Sequence, residues 1–261
     1  MLNIATLNLL YLTRYYILSK RLNFFIGHFL VSLIIIFSIA IIAFYVWYPD
    51  PLGKAVGVTH IFVIMLAVDA LIGPFLSFLV YKEGKKTLKF DLVVIITIQI
   101  SALCYGLFAI EQGRPAWLVF HADRFELVRK NNIILDSIDQ AQPQFQYVSW
   151  TKPEFVAVKS ATSTEQRQDD MFTEVLGGIS LAQQPERYVE LTQARSQLQK
   201  RALPIQELEK YNFQDRVEKT LAKYPEADAW LPLKTNAVDM VVLINKKTAE
   251  IIKIVNLRPW K

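Results

Sequence analysis

The chain has 261 residues, 52% of them hydrophobic, with 29 Lys/Arg against 24 Asp/Glu. Its mean hydropathy of +0.25 is high for a water-soluble protein and low for a polytopic transporter. The charges are unevenly split: residues 1–110 carry eight Lys/Arg and four Asp/Glu, whereas 111–261 carry 21 and 20. The positive excess therefore flanks apolar segments and makes no basic stripe on the polar part, which argues against nucleic acid as a partner.

Residues 1–23 form a leader ahead of the first long apolar run. Within it, 1–19 is moderately apolar but short and broken by Arg14, a pattern shared by interfacial amphipathic segments and unstructured leaders. Three runs follow at about 24–48, 58–81 and 92–110, each near the ~20 residues a helix needs to cross ~30 Å of hydrocarbon. The first exceeds the h-region of a cleavable signal, and Trp47-Tyr48-Pro49-Asp50-Pro51 offers no small-residue cleavage site, so it reads as an anchor. Arg14, Lys20 and Arg21 precede it. The loop 49–57 sets Lys54 against Asp50, and the loop 81–90 packs Lys82, Lys85, Lys86 and Lys89 against Glu83. Counting Lys and Arg puts the N-terminus and the second loop in the cytoplasm, and 111–261 in the periplasm of a bacterial inner-membrane protein. Trp47, Tyr48, Tyr81 and Tyr105 lie near span ends, where amphipathic rings favour the headgroup layer.

Residues 111–261 read as a mixed α/β domain, large enough to bury a core without a disulfide. Short β-rich runs at 117–120 and 125–128 flank the polar His121-Ala122-Asp123-Arg124 and predict a hairpin, and 155–158 predicts a third strand after Pro153. Residues 165–176 predict a helix stopped by Gly177-Gly178. A stronger helix is expected over 186–201, between Pro185 and Pro204, and a further helical region over 205–223. Apolar runs at 240–244 and 250–255 around Asn245-Lys246-Lys247-Thr248-Ala249 predict a closing hairpin. The expected fold is membrane α+β: a bundle of three transmembrane helices over 24–110, then an α/β domain ending in a β-hairpin.

Catalytic chemistry finds little footing. His28, His60 and His121 are separated in predicted depth, and no pair has the spacing of a helical metal motif. Nucleophile-elbow, P-loop, dinucleotide and zincin motifs are missing. Asp169-Asp170 has a polar helical context and Asp123 and Glu126 straddle a turn, so these read as surface acids. The single Cys104, inside the third run, reads as an apolar packing residue. The expectation is a non-enzyme with no catalytic residue, metal or cofactor.

Asp69 is the exception within the apolar runs. A carboxylate at mid-span costs ~2.5–3.5 kcal/mol on insertion scales, so it is expected to face other helices and find partners. From the cytoplasmic ends, Asp69 lies about 18 Å in and Gln99 about 12–13 Å in, which makes Gln99 a candidate hydrogen-bond partner, with Ser38 of the first run at similar depth. His60 falls on the opposite face of Asp69's own helix. Gly73-Pro74 is expected to weaken or kink that helix and to free a carbonyl that a nearby polar side chain can satisfy. From the residues, Asp69 serves an interhelical hydrogen bond or the reception of another protein's transmembrane helix, with a proton or ion path ranked third because three spans with one acid give little material for a pore.

Trp47-Tyr48-Pro49, Val68-Asp69-Ala70-Leu71-Ile72-Gly73-Pro74 and Gly84-Lys85-Lys86-Thr87-Leu88-Lys89-Phe90-Asp91-Leu92 resemble motifs of the TfpX/TfpZ-type type IV pilin accessory proteins. Arg114-Pro115, Asp123-Arg124-Phe125-Glu126-Leu127, Leu231-Pro232-Leu233 and Pro259-Trp260 continue the resemblance in order. It covers the chain from about Lys20 onward, with 1–19 as an extra leader or the product of an alternative start. The resemblance implies a non-enzymatic inner-membrane accessory protein of type IV pilus biogenesis, needed for efficient assembly of a particular major pilin. The helix bundle with its buried acid and the outer α/β head suggest as its mechanism a pilin-specific chaperone that stabilises or delivers that pilin. The implied partners are that pilin's transmembrane helix and periplasmic head, the lipid bilayer and the pilus assembly machinery. No catalytic residue carries over. Other classes stay open: a membrane-bound pilin-modifying enzyme, a periplasmic ligand sensor, or a structural subunit of the pilus machine.

Overall fold

The computed structural model describes the backbone of residues 4–161 and 163–261, and their side chains except those of 4–19, 169 and 173. The side-chain pattern of residues 1–19 and the Asp169 carboxylate therefore lie outside the described residues. The chain divides into two compact units, Met1–Ala43 with Thr59–Ile110, and Phe44–Val58 with Glu111–Lys261.

The backbone is helical over Ile4–Ile41 (α1) and continues through a π-helical turn, Ile42–Trp47. A five-residue helix, Leu52–Val56 (α2), follows. Next come Val58–Leu66 (α3), a π-helical stretch at Ala67–Ile72, Gly73–Val80 (α4) and Leu88–Gln112 (α5). Among the described residues, three stretches are long and apolar enough to cross a membrane: Lys20–Trp47, Val58–Val80 and Leu88–Gln112. Phe37, Val93 and Ile98 are exposed along them, an arrangement suited to lipid as the solvent. The first unit is thus a three-helix membrane bundle. In it α1 packs on α4 and on the π-helical stretch. Phe24 stacks on Tyr81 with ring centroids 5.1 Å apart, and Lys20 pairs with Glu83 at 2.6 Å. α5 meets α3 closely at Gly106, where a Cβ would lie 2.9 Å from the Met65 sulfur.

The second unit is built on a mixed sheet. β1 (Pro115–His121) and β2 (Arg124–Arg129) form the expected hairpin, and β3 (Glu154–Val158) runs parallel to β1. After α6 (Thr164–Val175), β4 (Tyr188–Glu190) closes that edge antiparallel to β3. α7 (Arg195–Arg201), β5 (Leu203–Pro204) and α8 (Gln214–Leu221) lead to β6 (Ala229–Lys234), β7 (Met240–Asn245) and β8 (Glu250–Val255). The order is β4-β3-β1-β2-β6-β7-β8, with β5 paired to β6.

The near-continuous apolar runs of these strands follow from burial on both faces. In β1, Leu118 and Phe120 point into one core and Trp117 and Val119 into another. In β7, Met240, Val242 and Ile244 join the first core, while Val241 and Leu243 pack with Val217 of α8.

Three expectations are corrected. The helix expected over 186–201 is α-helical only at Arg195–Arg201, with 3-10 turns at Pro185–Arg187 and Leu191–Ala194, because Tyr188 and Val189 between them are buried on opposite faces as an edge strand. Tyr188 packs edge-on against Trp117 at 5.6 Å and donates its hydroxyl to the Ala182 carbonyl. Sheet pairing overrides helix propensity there. Residues 49–57, read as a connecting loop, are part of the sheet unit's core: Leu52 and Ala55 are buried among Leu118, Leu231 and Val242. The Ala55 carbonyl accepts from Ala237 N at 2.9 Å, Val238 N at 3.1 Å and Thr235 Oγ1 at 2.9 Å. Trp47 and Tyr48, expected in the headgroup layer, are buried, Trp47 against Trp150 at 6.0 Å.

This packing makes a prediction. Leu52, 2% exposed, should cost about 2–5 kcal/mol of sheet-unit stability when replaced by alanine. Lys54→Ala on the exposed face of the same helix should change little. Denaturant melts of the detergent-solubilised protein, followed by tryptophan near-UV circular dichroism, check this; equal effects of the two variants would remove α2 from the core.

Candidate functional site

Span two leaves α-helical geometry where its carboxylate lies. The Gly73 N–H donates to the Val68 carbonyl, five residues back. In that register the next donor, due to meet the Asp69 carbonyl, is position 74, and Pro74 has no N–H. Gln99 of α5 supplies one: its Nε2 donates to the Asp69 carbonyl oxygen at 3.2 Å. Gly73 permits the approach, because a Cβ there would collide with the Gln99 amide. Asp69, Gly73, Pro74 and Gln99 are therefore one arrangement, centred on backbone chemistry. Gln99 does meet Asp69, but at its carbonyl and not at its carboxylate.

Ser38 is not brought to this site. It is exposed, and its Oγ donates to the Ile34 carbonyl of its own helix at 2.8 Å, the usual self-satisfaction of serine in an apolar helix. Matching depth did not reveal which way it faces.

The Asp69 side chain is 5% exposed, and its Oδ2 has no hydrogen-bond partner among the described residues. Gln99 Oε1 is also buried without a partner at hydrogen-bond geometry, and the Gln99 side chain interacts with that of His28. Both border a cleft of about 220 Å³ that His28, Ser32, Ile96 and Leu103 also line. His28 Nδ1 lies 3.0 Å from the Ser77 hydroxyl, and Ser32 and Ser77 are buried. These three polar residues were missed as site residues. Their signal was the i, i+4 spacing of His28 and Ser32, which puts both on one helix face. The arrangement is an apolar groove with a polar floor at mid-membrane depth.

The remaining candidates are accounted for elsewhere. No group of three His, Cys, Asp or Glu is placed to hold a metal among the described residues. His60 is exposed, and His121 lies 3.4 Å from Glu174 in the sheet unit. Asp170 forms a two-pronged pair with Arg187 at 2.7 and 2.8 Å, which ties α6 to the turn before β4 and raises the guanidinium's pKa. Asp123 is 3.8 Å from Arg124, and Glu126 accepts from Arg124 at 3.4 Å and from the Ser180 hydroxyl at 3.1 Å. Cys104, expected as a packing residue, lies on the exposed face of α5. At the end of α5, Glu111 accepts from Lys130 at 2.6 Å and from the buried Arg114 at 3.3 Å. Burial raises the Tyr48 phenol well above its ordinary range, partly offset by the Arg129 and Arg114 cations.

The Gly73–Gln99 contact can be checked directly. Gly73→Ala should destabilise the bundle by about 1–3 kcal/mol through overpacking. Adding Gln99→Ala should restore the space but leave the Asp69 carbonyl unbonded, so only part of the loss returns. Thermal melts in detergent that show Gly73→Ala to be neutral would refute the contact.

No family model matches the chain, and no solved structure matches it. It is 32% identical over 228 residues to the fimbrial assembly protein, serogroup I, of Dichelobacter nodosus, covering 84% of this chain and 88% of that protein. It is 30% identical over 228 residues to the serogroup E1 fimbrial assembly protein of the same organism, at the same coverage. A third, for serogroups C1 and C2, is 36% identical over 116 residues, which cover 44% of this chain and 88% of that protein. Matches of this extent place the chain in the family of fimbrial assembly proteins.

Proposed function

We propose that this protein is an inner-membrane accessory factor of type IV pilus biogenesis, of the TfpX/TfpZ type, that binds the major pilin and stabilises or delivers it for assembly. It acts by binding, without catalysis. The relatives' role in fimbrial assembly supports the process, and the ordered motifs from Trp47-Tyr48-Pro49 to Pro259-Trp260 support the type. The Lys-rich loop around Lys82, Lys85, Lys86 and Lys89 supports a cytoplasmic N-terminus and a periplasmic sheet unit.

The observation that carries this reading is the Asp69 cleft. A membrane bundle with an apolar groove and a buried polar floor is suited to receiving a further transmembrane helix, and the sheet unit offers a second surface for a globular head. A pilin subunit waiting in the membrane has both parts. A protein that holds both would shield the apolar helix and orient the head for the assembly machine.

In cells, deletion of the protein should shorten pilin half-life or leave pilin unassembled, with pilin mass unchanged. Asp69→Leu and a variant lacking residues 117–261 should each weaken crosslinking to pilin several-fold. If both leave pilin level and crosslinking as in the wild type, the proposal fails. A changed pilin mass in the deletion strain would point instead to a modifying enzyme.

A further inference from the structure

Resting on the function proposed above, we infer that the Asp69 cleft selects a transmembrane helix that carries a hydrogen-bond donor (hydroxyl, carboxamide or ammonium) at mid-membrane depth. A purely apolar helix lacks what the cleft presents. Asp69 lies eleven residues from each end of Val58–Val80, so about 16–17 Å of helix separates it from either surface. At that depth a buried oxygen without a partner is expensive, because hydrocarbon offers no donor.

The cleft's own groups leave this acceptor open. Pro74 and Gln99 fix the local chemistry: the Asp69 carbonyl can only accept, so the Gln99 end bonded to it must be the amide nitrogen. Gln99's nitrogen is thereby engaged with the backbone, and its carbonyl oxygen is left at the cleft. His28 is engaged through Nδ1 with the Ser77 hydroxyl. Asp69 Oδ2 thus has no donor from the described residues.

Size and lining select the occupant. A space of about 220 Å³ suits one or two side chains and not a whole helix, so a partner would lay its body along the groove and insert a single polar side chain. The surrounding Ile35, Ile36, Ile96 and Ile100 suit the apolar residues on either side of that inserted group. A lipid headgroup does not reach such a depth, whereas a membrane-spanning helix passes it.

The test uses the purified full-length protein in phosphatidylethanolamine/phosphatidylglycerol vesicles, with labelled leucine-rich transmembrane helices that differ at one central position: Leu, Ser, Asn or Lys. Energy transfer measures association. The Ser, Asn and Lys helices should bind about 3- to 20-fold more tightly than the all-Leu helix, the range expected of interhelical hydrogen bonds. Asp69→Leu should abolish that preference while all-Leu binding persists, which also reports that the bundle is intact. Leu103→Trp, which narrows the cleft and leaves the Asp69 carboxylate in the chain, should abolish it too. Equal binding of all four helices to the wild type, or an unchanged preference in Asp69→Leu, overturns the inference. Energy transfer between two labelled copies of the protein, lost on Asp69→Leu, would overturn the choice of occupant. Helix selection without pilin crosslinking in cells would keep this site and reject pilin as its occupant. Pilin crosslinking without helix selection would do the reverse.

Discussion

The missing N–H of Pro74 is the constraint on which the membrane unit turns. Once Gly73 bonds five residues back, the Asp69 carbonyl has no donor from its own helix. In water this would matter little. In hydrocarbon a bare carbonyl costs several kcal/mol, so a side chain from a neighbouring helix must meet it. Gln99 does so, and the smallness of Gly73 lets it in. The π-helical stretch, the Gly-Pro pair and the amide on α5 are therefore one solution to one hydrogen-bonding problem. Irregular helical turns of this kind are frequent at functional sites, because they free backbone groups and re-aim side chains.

That solution leaves the Asp69 carboxylate unspent. Its carbonyl is served and its side chain is not, which separates the structural role of the segment from its binding role. The Gln99–backbone bond fixes how α5 meets span two. The carboxylate and the Gln99 amide line a cleft with His28 and Ser32. A residue needed only to hold the bundle together would be expected to close its own hydrogen bonds.

The sheet unit obeys a different constraint. Its core is completed by α2, which lies between spans one and two, nearly sixty residues before the first strand. Spans two and three separate α2 from β1 in the chain, and the shared core holds the two ends of that pair in one unit. Spans two and three are in this sense a loop whose ends are bound in one domain. The Glu111 cluster with Arg114 and Lys130 anchors the return of the chain into β1.

The sequence by itself determined the elements whose signals are local. Three apolar runs of membrane length, the strands flanking His121-Ala122-Asp123-Arg124 and the closing hairpin follow from hydropathy, periodicity and turn residues, and Asp69 stood out because it broke an apolar run. Only the tertiary structure decided what depends on rotation about an axis or on distant pairing. Depth along a helix could be counted, but facing could not, so Ser38 and Gln99 looked alike until one turned out to lipid and the other in. Residues 188–190 became a strand because β3 needed an edge partner, and 52–56 joined a core whose other residues lie beyond the third span. Local sequence sets the energy of forming an element, whereas the choice among faces and partners is made by which buried groups must be satisfied when the elements meet.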